Sequence, residues 1–473
     1  AFPNQTPAQW TDRLLASADN ATTKIGAHSG ATTFGNGVEH GYNTTFGHGI
    51  MDIYAALQPI TSSSYTRSMI VNNENGVPQR VPAEEARIAF GSSFGNTVRS
   101  AVDSQNINSI FYDALNGGFQ YKMSGHVFTE DNRRLKYEVD FSLLEDGEID
   151  IKNKTLTEVG HINNLLYKPE EEKNNGLNIT LFEPSTPIRE FTSDKNDEFL
   201  RFNNVDSPYL DTKENGYTIG YTSHLINEFS YSFGFEKPMQ VEDNNFQGKN
   251  SNYSGLITKN NLNSKHQFLV GRLIEEDKFL GSEVNGAFKM NNLVTNTDFI
   301  GFKSENIIGD NFYLKSSYTI GESNLDYSYS PLIGYTSKII SDSYEFAISK
   351  TFENLGLKTV LSISQPNRVS SGKMIIKEPN LIRLGELNYT PKQLTLIPDG
   401  RQLDIGFGIQ KEFSEDMKFI SKFTIIDEYN HNKNSDTEYG LNFVGKYKDF
   451  KAGYSYESFE DNSLFKIEYE KKF

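Results

Sequence analysis

The chain of 473 residues contains no cysteine and only one tryptophan. Without cysteine it can form no disulfide, no thiolate nucleophile and no cysteine-ligated zinc or iron–sulfur site. Positive charge is also scarce, because 62 acidic residues outnumber 46 basic ones and give a net charge of −16. A nucleic-acid-binding protein needs a basic face to meet phosphate, so we predict no nucleic-acid partner.

The sequence also lacks a long hydrophobic run. A transmembrane helix needs about 18 consecutive apolar residues, and no such stretch occurs. Phenylalanine and tyrosine are abundant by contrast, with 34 and 25 copies in a chain that is only 36% hydrophobic. This combination is typical of transmembrane β-barrels, because only one face of each strand meets lipid and the residues alternate between apolar and polar.

Alternation of this kind runs through the second half of the chain. One segment places Ile405 and Phe407 opposite Asp404 and Gly406, and comparable segments precede and follow it. A soluble sandwich could contain one or two such strands, but an aromatic face kept over this length favours a wall that faces lipid. We therefore predict a mainly β fold, with a transmembrane antiparallel β-barrel of about 12 strands over residues 214–473.

The last predicted strand ends the chain with alternating aromatic and charged residues. A C-terminal aromatic residue on such a strand resembles the signal by which Gram-negative outer-membrane proteins are recognised for assembly. The alternative is an edge strand that ends in Phe by chance. We therefore predict an outer-membrane location, with outer-membrane lipid and the barrel assembly machinery as partners. The predicted assembly signal consists of Phe465, Ile467, Tyr469 and Phe473.

The opposite face of the predicted strands is polar and carries both signs of charge. Mixed charge suits a plugged or narrow interior better than a pore that selects ions of one sign. The residues predicted to line this interior are Asp404, Gln410, Glu412, Lys446, Lys466, Glu468 and Glu470.

Residues 1–60 differ from the rest in being rich in Ala, Gly and Thr. The run TPAQ at residues 6–9 predicts a helix start, with a threonine cap and a proline in the first turn. Residues 26–49 are predicted to form a glycine-punctuated loop, and residues 50–57 a second short helix. Two short helices and a loop cannot bury a core, so we predict the C-terminal end of a larger, α/β domain. The residues predicted to form the buried face of the first helix are Trp10, Leu14, Leu15 and Ala18.

Residues 61–213 are predicted to form a mixed connector. Within it, residues 94–102 predict a helix, and residues 107–112 and 119–123 predict two strands joined by an Asn-Gly-Gly turn. The charged, asparagine-rich residues 144–200 predict a loop or a poorly ordered connection.

Histidine and aspartate side chains near the N-terminus are candidates for a metal site or for catalysis. They lack ligand-type spacing such as H-E-x-x-H, so we predict structural or solvent-exposed roles, with no metal and no cofactor. These residues are Asp12, Asp19, His28, His40, His48 and Asp52.

Several runs resemble the C-terminal part of subtilisin-like serine protease autotransporters. Three of them resemble the end of the peptidase domain: FPNQTPAQ at 2–9, LLASAD at 14–19 and FGHGIMDIYAA at 46–56. Two more resemble the segment between protease and barrel and the start of a barrel strand: FGSSFG at 90–95 continuing to FYDAL at 111–115, and LIPDGRQLD at 396–404.

The resemblance implies that the barrel exports or displays a serine endopeptidase, whose N-terminal portion is a partner from the same precursor. In that family the nucleophile lies in a Gly-Thr-Ser-Met-Ala-type motif upstream of the position that matches Ala1. The catalytic Asp and His lie further upstream still. None of the three is present, so no catalytic residue is assigned, and we expect the chain itself to lack peptidase activity. We also expect either that the chain is truncated at Ala1 or that further residues precede it.

Three alternatives stay open at this point. The first is an outer-membrane pore or adhesin barrel without protease function, and the second is a secreted soluble β-rich binding protein. In the third, a separately cleaved protease half associates with residues 1–60 to form a nicked enzyme.

Overall fold

The computed structural model describes most of the chain outside its middle third. The described residues are 2, 5–63, 65, 67–129, 165–166, 176–181, 209, 216–226, 229–238, 250–261, 263–309, 311–383, 386–414, 416–458 and 461–469. Most of the predicted loop of residues 144–200 lies outside these ranges.

The fold is mainly β, as the sequence predicts, and its helices are short. They are α1 (Pro7–Ala16), α2 (Thr22–Ile25), α3 (Ile53–Ala56) and α4 (Thr97–Ser104). Within the described ranges, no helix combines the length and the apolar composition that crossing a bilayer requires. The predicted helix start is confirmed, because the Gln9 backbone N–H donates to the Thr6 hydroxyl and the Thr6 backbone N–H donates to the Gln9 side chain.

The described strands of the first 129 residues are all short. They are β1 (Gly30–Phe34), β2 (Val38–Tyr42), β3 (Ser68–Asn72), β4 (Pro78–Pro82), β5 (Arg87–Phe90), β6 (Asn108–Tyr112), β7 (Gly118–Lys122) and β8 (Val127–Thr129).

The strands of the remaining chain are longer on average. They are β9 (Leu165–Leu166), β10 (Gly176–Leu181), β11 (Gly216–Ile226), β12 (Phe229–Pro238), β13 (Ser251–Asn261), β14 (Ser264–Glu276), β15 (Lys278–Phe279), β16 (Ser282–Asn285), β17 (Val294–Ile308), β18 (Phe312–Asp326), β19 (Ile333–Thr336), β20 (Ile339–Phe352), β21 (Leu357–Ser371), β22 (Lys373–Arg383), β23 (Glu386–Thr395), β24 (Leu403–Ser414), β25 (Met417–Asp427), β26 (Glu438–Tyr447), β27 (Phe450–Glu457) and β28 (Asn462–Tyr469).

One sheet of 15 strands dominates the fold. Its order is β28-β27-β26-β25-β24-β21-β20-β18-β17-β14-β13-β12-β11-β10-β9. The order of strands in the sheet therefore follows their order along the chain, although β15, β16, β19, β22 and β23 belong to other sheets. Each neighbouring pair is antiparallel, as in β17 with β18. The short strands β9 and β10, which precede residue 214, belong to this sheet as well.

The connections at the two ends of the large sheet differ in length. At one end, tight turns join β13 to β14, β17 to β18, β20 to β21, β24 to β25 and β26 to β27. At the other end, β27 and β28 are joined by only four residues, but four other connections are much longer. We call residues 277–293, 327–338, 372–402 and 428–437 the four long connections.

Residues 67–129, which we call the cap, fold together with the long connections. The cap has its own sheet, of order β4-β3-β6-β7, whereas β15 and β16 from the first long connection share a sheet with β5 and β8 of the cap. The long connections also contribute a sheet of β19, β22 and β23. Buried apolar side chains from the cap and from the long connections form one continuous core.

Within the cap, the predicted hairpin is confirmed. β6 and β7 pair from Asn108 with Lys122 to Tyr112 with Gly118, and Asn116 in their turn has a left-handed φ of 62°. The predicted helix is displaced, because a 3-10 turn occupies Ser92–Phe94 and α4 begins only after it.

Two expectations for the N-terminal residues are wrong. The predicted glycine loop contains the hairpin β1–β2, because the Gly35–Gly37 turn joins two short strands within it. The buried face of α1 also differs from the prediction, since Leu15 is 36% exposed and Arg13 is fully buried. An arginine is buried only where a partner neutralises it, and that partner lies far away in the sequence. The second helix is shorter than predicted and is reduced to α3.

Candidate functional site

The two faces of the large sheet have the reverse of the polarity found in a water-soluble core. In β20, the side chains of Ser343, Glu345 and Ser349 are buried, whereas Phe346 between them is 45% exposed. Soluble sheets bury their apolar face and expose the polar one. The enclosed face of this sheet is therefore mainly polar, although Leu256, Leu269 and Phe299 are also buried, and the apolar face is open to its surroundings.

The register of the strands assembles the exposed apolar residues into continuous rows. One row runs across neighbouring strands through Ile257, Phe268, Phe302 and Tyr318, each paired with the next. We call the exposed apolar face the outer band. Its exposed members include Phe233, Tyr253, Ile257, Phe268, Val270, Ile300, Phe302, Tyr318, Phe346, Leu361, Ile363, Phe407 and Tyr439.

Charged pairs mark the limit of the outer band next to the long connections. Arg272 and Asp298 face each other across β14 and β17, with Nε 2.6 Å from Oδ1. Lys338 forms an ion pair with Glu322 at the same level of the sheet. These four side chains lie just beyond the apolar residues and on the same face, so the band changes abruptly from apolar to charged.

The enclosed face carries paired charges of both signs. Lys315 Nζ lies 3.0 Å from Glu345 Oε2, and both side chains are about 1% exposed. Lys303, equally buried, pairs with Glu305 at 3.0 Å. Buried charges of this kind require a partner. Asp404, predicted to line the interior, is buried as well.

The other residues predicted to line the interior are less enclosed. Glu412 is exposed, and Lys466 and Glu468 are a half-exposed pair with N···O 3.7 Å on the end strand β28. Gln410 and Lys446 are partly buried, whereas Glu470 lies outside the described residues. The alternation predicted correctly which residues of β24 face inward. It did not show how deeply each of these side chains is buried.

A tyrosine that sequence reasoning missed is buried against the inner face. The Tyr209 ring stacks on Phe299 with centroids 5.2 Å apart, and its hydroxyl donates to the Ser341 backbone carbonyl at 2.9 Å. A Cβ added to Gly321 would lie 2.6 Å from Tyr209 Cζ. The glycine therefore makes room for the ring. No local signal marks Tyr209, because its partners, from Asn252 to Ser341, are more than 40 residues away.

Three of the four residues predicted as an assembly signal can be placed. Phe465, Ile467 and Tyr469 lie on β28, at one end of the described sheet, and are 64%, 64% and 54% exposed. They share one face of the strand, as the alternation predicts. Phe473 lies outside the described residues.

The structure brings together two of the candidate histidines. His40 Nδ1 lies 3.2 Å from His48 Nδ1, and His40 Nε2 lies 2.9 Å from the Ala18 carbonyl. A carbonyl only accepts, so Nε2 of His40 donates to it. Burial and the nearby His40 lower the pKa of His48. The two histidines are thus hydrogen-bonded to each other and to the Ala18 carbonyl.

The remaining candidates do not join this pair. His28 contacts the Asn20 carbonyl at 2.9 Å, Asp19 pairs with Lys24, and Asp52 caps α3 by accepting from the Ala55 N–H at 2.8 Å. Asp12 lies on α1. Across the described part of the chain, no group of three or more His, Cys, Asp or Glu side chains is arranged to hold a metal ion.

Comparison with known proteins adds no relative. No protein-family model matches the chain, and no curated protein matches it at a significant level.

Proposed function

We propose that this chain is an outer-membrane β-barrel of the autotransporter type, which anchors and exports or displays a subtilisin-like serine protease passenger. The observation that carries the membrane part of this proposal is the reversed polarity of the large sheet. An apolar outer band is stable in contact with hydrocarbon, whereas in water it would be a large exposed patch that drives aggregation.

The dimensions of the outer band agree with a bilayer. On the outward face of β17, Ile300, Phe302 and Ile308 are exposed, with the polar Ser304 and Asn306 between the last two, and the span from Ile300 to Ile308 is roughly 26 Å at 3.3 Å per residue. A strand tilt of about 40° reduces this to roughly 20 Å along the membrane normal, close to the apolar band of about 25 Å typical of outer-membrane barrels. The charged pairs of Arg272 and Lys338 then lie at the level of the lipid headgroups.

The unequal ends of the sheet support the same proposal. Bacterial barrels have short turns on the periplasmic side and longer loops on the extracellular side. The tight turns of the large sheet then face the periplasm, and the four long connections with the cap face the cell exterior. In lipid an unpaired strand edge is costly, so we propose that the end strands of the sheet pair and close it.

The passenger part of the proposal is supported by an exposed apolar surface near the N-terminus. Its residues surround α3 and are between 58% and 76% exposed: Phe46, Ile50, Met51, Ile53 and Tyr54. Several large apolar side chains exposed side by side mark a contact surface for further protein. This is the surface that would pack against the body of a subtilisin-like domain, as the sequence resemblance implies.

Two measurements on the purified chain test the membrane assignment. In Triton X-114 phase separation, a barrel partitions into the detergent phase, and its mobility on a gel changes only after heating, because the closed sheet resists the detergent. Recovery in the aqueous phase together with no heat-dependent shift would instead identify a soluble β-rich binding protein.

The protease assignment is tested separately. The exposed surface around α3 should bind a subtilisin-like domain lacking its last segment, and substitution of Tyr54 by Asp should abolish that binding. A chain that partitions into detergent but binds no such domain, and shows ion conductance or cell adhesion instead, would be a pore or an adhesin.

A further inference from the structure

We propose that the cap remains bound to the four long connections when the chain between residues 130 and 215 is cut. The N-terminal part of the protein is then retained by a docked interface and does not depend on an intact peptide chain. The inference is independent of the membrane proposal, because it rests only on contacts between the cap and the long connections.

Main-chain pairing joins the cap to the first long connection. β5 continues the β15–β16 hairpin, with Ala89 paired to Glu283. Just beyond β5, the Gly91 N–H donates to the buried Ser282 hydroxyl at 3.0 Å. A Cβ on Gly91 would lie only 2.4 Å from the Leu280 carbonyl oxygen, so the two backbones are in direct contact.

The second and third long connections bind the cap through hydrogen bonds. These bonds involve main-chain groups on one side and side chains on the other, so they depend on the folded shape of both partners. They run from Asn108 N–H to Glu378 Oε1 (2.9 Å), from Asn72 N–H to the Tyr389 hydroxyl (2.8 Å), from the Tyr329 hydroxyl to the Asn72 carbonyl (2.5 Å) and from Asp399 N–H to the Thr97 hydroxyl (3.0 Å).

The centre of the interface is aromatic and fully enclosed. Phe90 and Phe94 of the cap meet Phe279 of the first long connection edge to face, with ring centroids 6.0 and 5.7 Å apart. All three rings are at most 1% exposed. Separation of the cap would expose all three rings to water at once. The loss of this apolar burial opposes separation. Next to this centre, Gly95 lies close to the fourth long connection. A Cβ added to Gly95 would be 2.7 Å from the Asn430 carbonyl oxygen.

The cap thus contacts all four long connections, through a sheet, a set of hydrogen bonds and a shared core. An interface with an enclosed aromatic centre and a polar rim has the anatomy of a stable protein–protein contact. Only the covalent link makes it intramolecular.

The test uses the full chain with a specific protease site, flanked by Gly-Ser residues, inserted between residues 150 and 151, so that β9 and β10 stay in the C-terminal fragment with β11, their partner in the large sheet. An affinity tag precedes residue 1, and the protein is purified in mild detergent and cut to completion. We expect the C-terminal fragment to stay with the tagged N-terminal fragment to the same extent as in the uncut chain. Separation of the two fragments of the unsubstituted protein in non-denaturing buffer would overturn the proposal.

Two matched substitutions locate the interface. Phe94→Asp introduces a charge at the enclosed centre and should lower the retained fraction at least about tenfold, which corresponds to ~1.4 kcal/mol. Phe128→Asp makes the same chemical change on the exposed side of the cap, where Phe128 is 38% exposed, and should leave retention unchanged. Equal retention in both variants would place the contact elsewhere and contradict the proposal. If Phe94→Asp prevents folding, the retention measured for the cut, unsubstituted protein still tests the proposal.

Discussion

Arg13 and Asp113 form a fully buried ion pair between two segments that the sequence assigns to different domains. Arg13 Nη2 lies 2.5 Å from Asp113 Oδ2, and the two side chains are 0% and 1% exposed. Arg13 also donates to the Ala56 carbonyl at 3.1 Å, and Asp113 accepts from the Ile60 and Gly117 N–H groups. α1, the segment after α3 and the β6–β7 turn are therefore tied together at one point.

Replacing Asp113 by Ala should strongly destabilise the N-terminal part of the chain. The change leaves a buried guanidinium unpaired, and breaking a buried pair in this way costs about 3–5 kcal/mol. Asp103→Ala removes the acidic partner of Lys122 from a pair exposed on both sides and should change little. Thermal unfolding of residues 1–129, monitored by limited proteolysis, measures the midpoint of each variant. Equal midpoints for Asp113→Ala and Asp103→Ala would contradict this role of Asp113.

His126 should make the stability of the cap depend on pH. Its ring stacks on Phe111 at 5.1 Å and Nδ1 donates to the Ala86 carbonyl at 2.8 Å. Burial lowers the pKa of His126, and this outweighs the Ala86 hydrogen bond, which raises it. The unfolded chain, with a pKa of about 6.5, then binds the proton more readily than the folded one. The stabilisation is complete above that value and is lost as the pH falls towards the folded pKa.

The measurement for this pH dependence is the difference between the unsubstituted protein and His126→Gln. The difference in melting temperature should shrink from pH 7.5 to pH 5, and the His126 ring protons should titrate below pH 6.5 in an NMR experiment. A titration midpoint above 6.5 would show that the sign of the shift is wrong.

A positive charge placed in the outer band should oppose membrane insertion. Phe302 is 47% exposed on the outer band, and Phe302→Arg should cost about 2–4 kcal/mol if the side chain lies near the bilayer midplane. Tyr335→Arg is the control, because Tyr335 is 59% exposed on β19 in a long connection. Urea titration of refolding into lipid vesicles measures both. Equal effects of the two substitutions would argue against a lipid-facing band.

Tyr209 and Gly321 should be energetically coupled. Gly321→Ala forces the Tyr209 ring out of its position on the inner face, since the new Cβ would lie 2.6 Å from it. The same substitution in a Tyr209→Ala background should cost much less, because the obstructing ring is gone. A double-mutant cycle by denaturant unfolding should give a coupling of about 0.5–3 kcal/mol, the range found for residues in contact. Additive effects would mean that Tyr209 does not occupy this place in solution.

Sequence periodicity was sufficient for the local parts of the fold. The alternation around Phe407 and the Asn-Gly-Gly turn after β6 depend on neighbouring residues, and both were predicted. The capping box at Thr6 was predicted for the same reason, since its two hydrogen bonds connect residues three apart.

Contacts between distant residues could not be predicted in this way. The burial of Arg13 depends on Asp113, which lies 100 residues away, and Tyr209 depends on Ser341, which is more distant still. The hairpin β1–β2 was missed because the repeated glycines of this segment were interpreted as a loop. The packing of the cap against the long connections could not be predicted either, because its core combines side chains from segments that are far apart in the sequence.

The central claim is that alternate residues of the large sheet face lipid, and spin labelling in bilayers tests it most directly. The absence of native cysteine allows single labels at Ile300→Cys and Phe302→Cys on the outer face of β17, and at Gly301→Cys and Lys303→Cys on its inner face. The account predicts high collision rates with oxygen and low rates with a water-soluble nickel chelate at residues 300 and 302, and no such preference for oxygen at 301 and 303. If the nickel chelate collides with the labels at residues 300 and 302 as often as oxygen does, these residues do not face lipid and the claim is contradicted.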